Sequence, residues 1–146
     1  MRLGWILVAA LFCCAQNTQL KAVRNIFVGD FGDKPGATQV KRALMESVRK
    51  THPLHLVSSA DQADAILSGE GEVWVKGYAA SNMRVRYVTH DARPIYTGYL
   101  SVELKGKSGE TLWSYLSAPH HAGSTDIEKV MASEAIHKLE TAIGSK

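Results

Sequence analysis

Tyr96-Thr97-Gly98-Tyr99-Leu100-Ser101-Val102-Glu103-Leu104-Lys105-Gly106-Lys107-Ser108-Gly109-Glu110-Thr111-Leu112-Trp113-Ser114-Tyr115-Leu116-Ser117 reads as one β-hairpin, and its alternation decides what kind of fold surrounds it. Leu100, Val102 and Leu104 share one side of the first strand, and Ser101, Glu103 and Lys105 the other. Successive strand side chains point to opposite faces, so this is a strand with one dry and one wet face. Gly106 to Gly109 is the turn, and Glu110 to Ser117 the return strand. A sheet with one apolar face must bury it against another layer.

The flanking sequence supplies that layer. Val40, Ala43, Leu44 and Val48 recur at helical spacing between Ala37 and Lys50, with Lys41, Arg42, Glu46, Arg49 and Lys50 on the other side. His52-Pro53 ends this helix, because proline disfavours helix in the residue before it. A second helix is predicted from Asp126 to Ile143, opened by a Thr125/Glu128 capping box and stopped by Gly144. Ile127, Val130, Met131, Ala135, Leu139 and Ile143 form its apolar face.

More strands fill the space between. Asn25 to Phe31 is rich in β-branched and aromatic residues, and Gly32 to Gly36 breaks it. Gln16 to Arg24, ahead of it, reads as a polar lead-in. Leu54 to Val57 is a short strand, and Ser59 to Asp64 a helical turn or tight loop with Ser59 as its cap. Ala65 to Tyr78 is a long strand in which Gly69 and Gly71 suggest a bulge or bend. Met83 to Val88 alternates, with Arg84 and Arg86 on one side.

The expectation is therefore α+β: a single domain over residues 25–144, with a mixed, mostly antiparallel sheet of five to six strands and two helices packed on one face. The opposite sheet face is left partly bare, carrying Trp74 or its neighbours, Arg84, Arg86, Tyr99 and Glu103.

The first fifteen residues set the compartment. Arg2 is followed by an apolar run from Leu3 to Phe12, then by the small residues Cys13, Cys14 and Ala15. That order predicts a secretory signal peptide over residues 1–15 and a periplasmic or secreted protein. The apolar run is about ten residues, against the roughly 20 a spanning helix needs. Both cysteines of the chain lie in this leader, so cleavage after Ala15 would leave no thiol for disulfides, catalysis or zinc. The alternative is lipidation at Cys14, giving an outer-membrane-anchored lipoprotein. Leu11 suits a lipobox, whereas Phe12 sits where a small residue is preferred.

Composition excludes other classes. With 45% apolar and 21% charged residues, the chain is neither disordered nor fibrous. A formal net charge of +3 is too mild to argue for nucleic acid.

Three segments carry a family resemblance. Ile26-Phe27-Val28-Gly29-Asp30-Phe31, Ala63-Asp64-Ala65-Ile66-Leu67-Ser68-Gly69-Glu70 and the hairpin end Ser108-Gly109-Glu110-Thr111-Leu112-Trp113-Ser114 occur in that order. Together they resemble the cell-envelope α/β domain of the TolB amino-terminal region, the curli-secretion lipoprotein and the lipoprotein activators of penicillin-binding proteins. The resemblance covers most of residues 25–143 and implies a non-enzymatic envelope protein that binds other proteins. TolB's propeller and the pore-forming insertions of a curli-type channel have no counterpart in it.

No catalytic constellation stands out. Gly29-Asp30-Phe31-Gly32-Asp33 lacks the spacing of a phosphate loop and reads as a helix-starting turn. No Gly-x-Ser-x-Gly elbow frames a nucleophile. His120, His121 and Asp126 could offer a metal three ligands, yet adjacent loop histidines rarely face one ion. Glu70 and Glu72 share a strand face, which reads as a solvated surface rather than an acid–base pair. No cofactor or metal is expected.

What remains is a surface. Lys76, Tyr78, Arg84, Arg86, Arg93 and Tyr99 mix basic and aromatic residues around one turn. The expectation is a non-catalytic exported protein that binds an envelope protein partner through an open sheet face or edge. It meets a membrane only through an amino-terminal lipid. The alternative is a periplasmic binder of a small molecule, glycan or polyanion at the basic cluster.

Overall fold

A computed structural model describes residues 18–79, 92–119 and 126–144. Its elements are β1 (Asn25–Val28), α1 (Ala37–Lys50), β2 (His55–Leu56), a 3-10 turn (Ala60–Gln62), β3 (Ala65–Ala79), β4 (Arg93–Gly106), β5 (Thr111–Ser117) and α2 (Ile127–Gly144). The five strands form one mixed sheet in the order β2-β1-β3-β4-β5. β1 runs parallel to both β2 and β3, while β3, β4 and β5 pair antiparallel. The chain is thus a single α+β domain, as the alternation and helical spacing predict.

Both helices cover the same sheet face. Ile26 and Val28 of β1, Ala65 and Leu67 of β3, and Leu100, Val102 and Leu104 of β4 are buried there against Val40, Leu44 and Val48 of α1 and Met131, Ala135 and Leu139 of α2. Burying a side chain of this size stabilises by about 1.5–3 kcal/mol, so this layer dominates the fold's favourable energy.

The turn between β1 and α1 is built as its residues suggest. Asp30 Oδ1 accepts from the backbone N–H groups of Phe31 at 2.9 Å and Gly32 at 3.2 Å. Gly36 caps α1 with φ of 84°, and a Cβ there would lie 2.8 Å from Val73 Cβ. Only glycine satisfies both conditions.

Several local expectations need correction. Residues 18–22 are helical, and Leu20 and Val23 are buried, so the lead-in packs on the core instead of running free. Two apolar residues three apart suffice to dock one helical turn. β1 stops at Val28, short of Phe31, because Asp30 turns the chain. Gly69 and Gly71 stay in regular register, and the irregularity falls between Val75 and Gly77. Those two glycines permit close approach: a Cβ on Gly69 would meet Ser101 O at 2.0 Å, and one on Gly71 would lie 3.2 Å from Val40 Cγ1. Ser59 makes no side-chain cap on the 3-10 turn. On α2, Val130 is 57% exposed, and Ala132 and Ile136 are buried instead. The sheet has five strands among the described residues; the strand expected over Met83–Val88 and the Thr125 half of the capping box lie outside them.

Candidate functional site

β3 has 15 residues against 4 in β1, and β4 has 14 against 7 in β5, and this difference makes the site. β5 pairs with β4 only from Leu100 to Lys105. On the other side, β1 pairs with β3 from Ala65 to Leu67, and backbone of the following turn accompanies β3 as far as Val73, whose N–H donates to Pro35 O at 2.9 Å. Beyond that point, residues 74–79 and 93–97 pair only with each other among the described residues. Six residues at strand rise extend roughly 20 Å, so a two-stranded ribbon runs out past the covered sheet.

This ribbon exposes what globular surfaces normally hide. Trp74 is 44% exposed, Val75 42% and Tyr78 66%. Trp74 pairs with Thr97 on the sheet's open side, whereas Val75 pairs with Tyr96 on the helix-facing side. The bulge around Lys76 then sets Tyr78 opposite Pro94, so apolar surface appears on both faces of the ribbon. The same stretch carries Lys76 and Arg93 and no carboxylate.

At the root of the ribbon lies a polar cluster on the open face. Lys34, from the turn before α1, ion-pairs with Glu70 and lies 3.8 Å from Glu72 Oε2. Lys34 Nζ donates to Tyr99 Oη at 2.8 Å, and Tyr99 in turn donates to Glu70 Oε1 at 2.8 Å. The ammonium also sits 5.5 Å from the Tyr99 ring centroid. Trp74 stands next to this group, its ring centroid 6.5 Å from that of Tyr99 and tilted by 59°. The Lys34 hydrogen bond, then that of Tyr99, holds the Glu70 carboxyl below the usual range. Lys34 is pushed upward by Glu70 and Tyr99. A carboxylate held ionised in this way suits a salt bridge, and a general acid working near neutral pH needs the opposite shift. Glu70 and Glu72 thus lie on a solvated face, as expected, and Lys34 and Tyr99 tie Glu70 down on it.

The structure distributes the sequence-derived surface residues over two places. Lys76, Tyr78 and Arg93 lie together at the far end of the ribbon, Arg93 pairing with Ala79. Tyr99 lies six residues along β4, about 20 Å away, inside the Lys34–Glu70 cluster. Arg84, Arg86, Cys14, His120 and His121 lie outside the described residues. Asp126 ion-pairs with Lys129 at 3.3 Å.

Sequence reasoning missed two groupings. Lys34 carries no signal of its own, since 65 positions separate it from Tyr99. The other is Glu134 on α2, which accepts from Tyr115 Oη at 2.8 Å and from the buried Ser117 Oγ at 2.7 Å. The only hint was a carboxylate one position from the apolar stripe of a helix. Among the described residues, no three His, Cys, Asp or Glu side chains converge as a metal site, and no helix is long and apolar enough to cross a membrane.

Comparison with known proteins adds fold likeness of low similarity. No family model matches the sequence, and no curated protein matches it. Among solved structures, the PelC dodecamer from Paraburkholderia phytofirmans is 17% identical, covering 86% of this chain and 90% of that one, with a TM-score of 0.48. A point variant of that dodecamer gives 17% identity, coverage of 84% and 89%, and a TM-score of 0.49. A neuraminyllactose-binding hemagglutinin homolog from Helicobacter pylori is 14% identical over 83% of each chain, with a TM-score of 0.37. At these distances the resemblances transfer no residue and no activity.

Proposed function

We propose that this chain is a non-catalytic exported protein that binds another protein of the cell envelope, using the β3–β4 ribbon and the adjoining open sheet face. The observation that carries the reading is the exposure of Trp74, Val75 and Tyr78 on a ribbon with no covering layer among the described residues. Aromatic residues so placed are the usual energetic anchors of protein interfaces. The signal-peptide pattern of residues 1–15 and the resemblance to envelope binding domains support the compartment.

The test is capture from envelope extracts by the mature protein and by a Trp74→Ala/Tyr78→Ala variant. The expected result is a protein retained by the first and lost by the second, with both folded. Equal capture by both, or co-purification of a small metabolite alone, sinks the reading.

A second reading has one observation in its favour. The ribbon carries Lys76 and Arg93 without any acidic residue, which suits a glycan or polyanion, with Arg84 and Arg86 adding charge from the intervening sequence. Charge reversal at Lys76 and Arg93 would abolish polyanion uptake under this reading and leave protein capture intact under the first.

A further inference from the structure

A second feature lies at the opposite edge of the sheet, away from the ribbon. A cleft of about 530 Å³ opens between α1 and the outer edge of β1 and β2. That volume falls within the roughly 300–1,000 Å³ usual for small-molecule sites. Phe27, Val28, Met45, Leu54, Leu56 and Val57 line it; Leu56 shares the helix side of the sheet with Ile26, and Phe27 borders the cleft from the open side. Val28 and Leu54 are buried, and the others are only half-covered, so the cleft presents an apolar surface that the protein's own core leaves unfinished.

The rim has the opposite character. Arg49, His52 and His55 border the cleft, and among the described residues neither an Asp nor a Glu lines it. Arg49 follows Met45 by four residues on α1, so a permanent cation stands one helical turn from the apolar wall. Arg49 and Lys50 also offset the negative C-terminal end of that helix.

The sheet edge adds a backbone donor. His55 N–H donates to Arg24 O at 2.7 Å, and Val57 N–H donates to Ile26 O at 3.0 Å. In a parallel pair, alternate residues turn their backbone groups to the other side, so Leu56 carries its N–H and C=O on the outer edge, where it lines the cleft.

We propose that this cleft binds a single-chain amphiphile with an anionic head, a medium-length acyl carboxylate being the simplest case. The carboxylate meets Arg49 and the rim histidines, and the tail lies against Met45 and Leu56. An apolar wall rewards burial in proportion to area, while a guanidinium selects the charge of the head. The site goes beyond the protein-binding role and shares no residue with the ribbon.

Isothermal titration of the mature protein with octanoate and decanoate, below their micellar concentrations, tests it. Saturable one-to-one binding is expected, tightening by roughly fourfold for each added methylene as the wall is covered. Decylamine, with the same tail and the opposite charge, should bind at least tenfold more weakly. Arg49→Gln, at an exposed position, should weaken decanoate about tenfold and lower the melting temperature by no more than about 3 °C. Met45→Gln should flatten the chain-length dependence. Absence of saturation, equal binding of decylamine, an unaltered Arg49→Gln variant, or attachment to anionic phospholipid vesicles without binding of free decanoate would each overturn the proposal.

Discussion

Tyr99 and Glu70 lie on adjacent strands of the open sheet face, and the tyrosine hydroxyl donates to Glu70 Oε1 at 2.8 Å while Lys34 ion-pairs with the same carboxylate. The Lys34 and Glu70 side chains are 44% and 47% exposed, so solvent screens the pair. Lys34→Met is therefore expected to leave the unfolding midpoint almost unchanged. Urea denaturation measures it; a large drop would mean that the cluster holds the β1–α1 turn in place.

Gly69 is a stricter position. A Cβ there would fall 2.0 Å from Ser101 O, in the middle of the β3–β4 pairing, where neither strand can retreat. Gly69→Ala should destabilise by about 3 kcal/mol. Gly71→Ala should cost about 1 kcal/mol, because its contact is with the Val40 side chain at 3.2 Å. Equal unfolding midpoints for the two variants would contradict this ranking.

Glu134 joins α2 to β5 through Tyr115 and the buried Ser117. Glu134→Leu leaves both hydroxyls without that acceptor and should cost about 2–3 kcal/mol. The carboxylate also raises the Tyr115 hydroxyl above the ordinary tyrosine range. Folding thus favours the protonated phenol. This contribution is complete below the unfolded tyrosine value and disappears as pH rises through the folded one. Absorbance titration of Glu134→Gln should show one tyrosine ionising at lower pH than in the parent.

Asp64 acts at the acid end. Its Oδ2 accepts from the backbone N–H of Asn25 at 2.8 Å and of Arg24 at 3.1 Å, tying β1 to the start of β3. The Asn25 amide, then that of Arg24, lowers its carboxyl below the usual value. The stabilisation is therefore present above the unfolded aspartate value and is lost as pH falls through the folded one. Asp64→Asn should lower stability near neutral pH by about 1 kcal/mol and reduce the loss of stability on acidification. Parallel acid-unfolding curves for variant and parent would refute it.

Trp74 and Tyr78 make a different kind of prediction. Tyr78 is 66% exposed and Trp74 44%, so truncating them should cost at most about 1 kcal/mol. The same truncation should abolish partner capture. A large drop in melting temperature would instead place the two side chains in the fold's own packing.

Much of the architecture was legible along the chain. Val40, Leu44 and Val48 mark α1 by spacing alone, and its bounds at Ala37 and Lys50 agree with the structure. Leu100, Val102 and Leu104 mark the buried side of β4 in the same way. These signals are local, because periodicity is a property of one segment against one apolar layer. Leu20 and Val23 escaped notice because a single turn is too short to show a period. The basic and aromatic surface residues look like one cluster along the sequence, whereas strand rise separates Arg93 from Tyr99 by about 20 Å.

By itself, then, the order of residues determined the helices, the hairpin of β4 and β5 and the dry face of the sheet. Tertiary structure alone decided that β3 and β4 outrun their neighbours, that Lys34 reaches Glu70 and Tyr99, and that a cleft opens beside β2. Those features depend on register and on differences in length between segments far apart in sequence. Side-chain periodicity within one element carries no record of where its partners end.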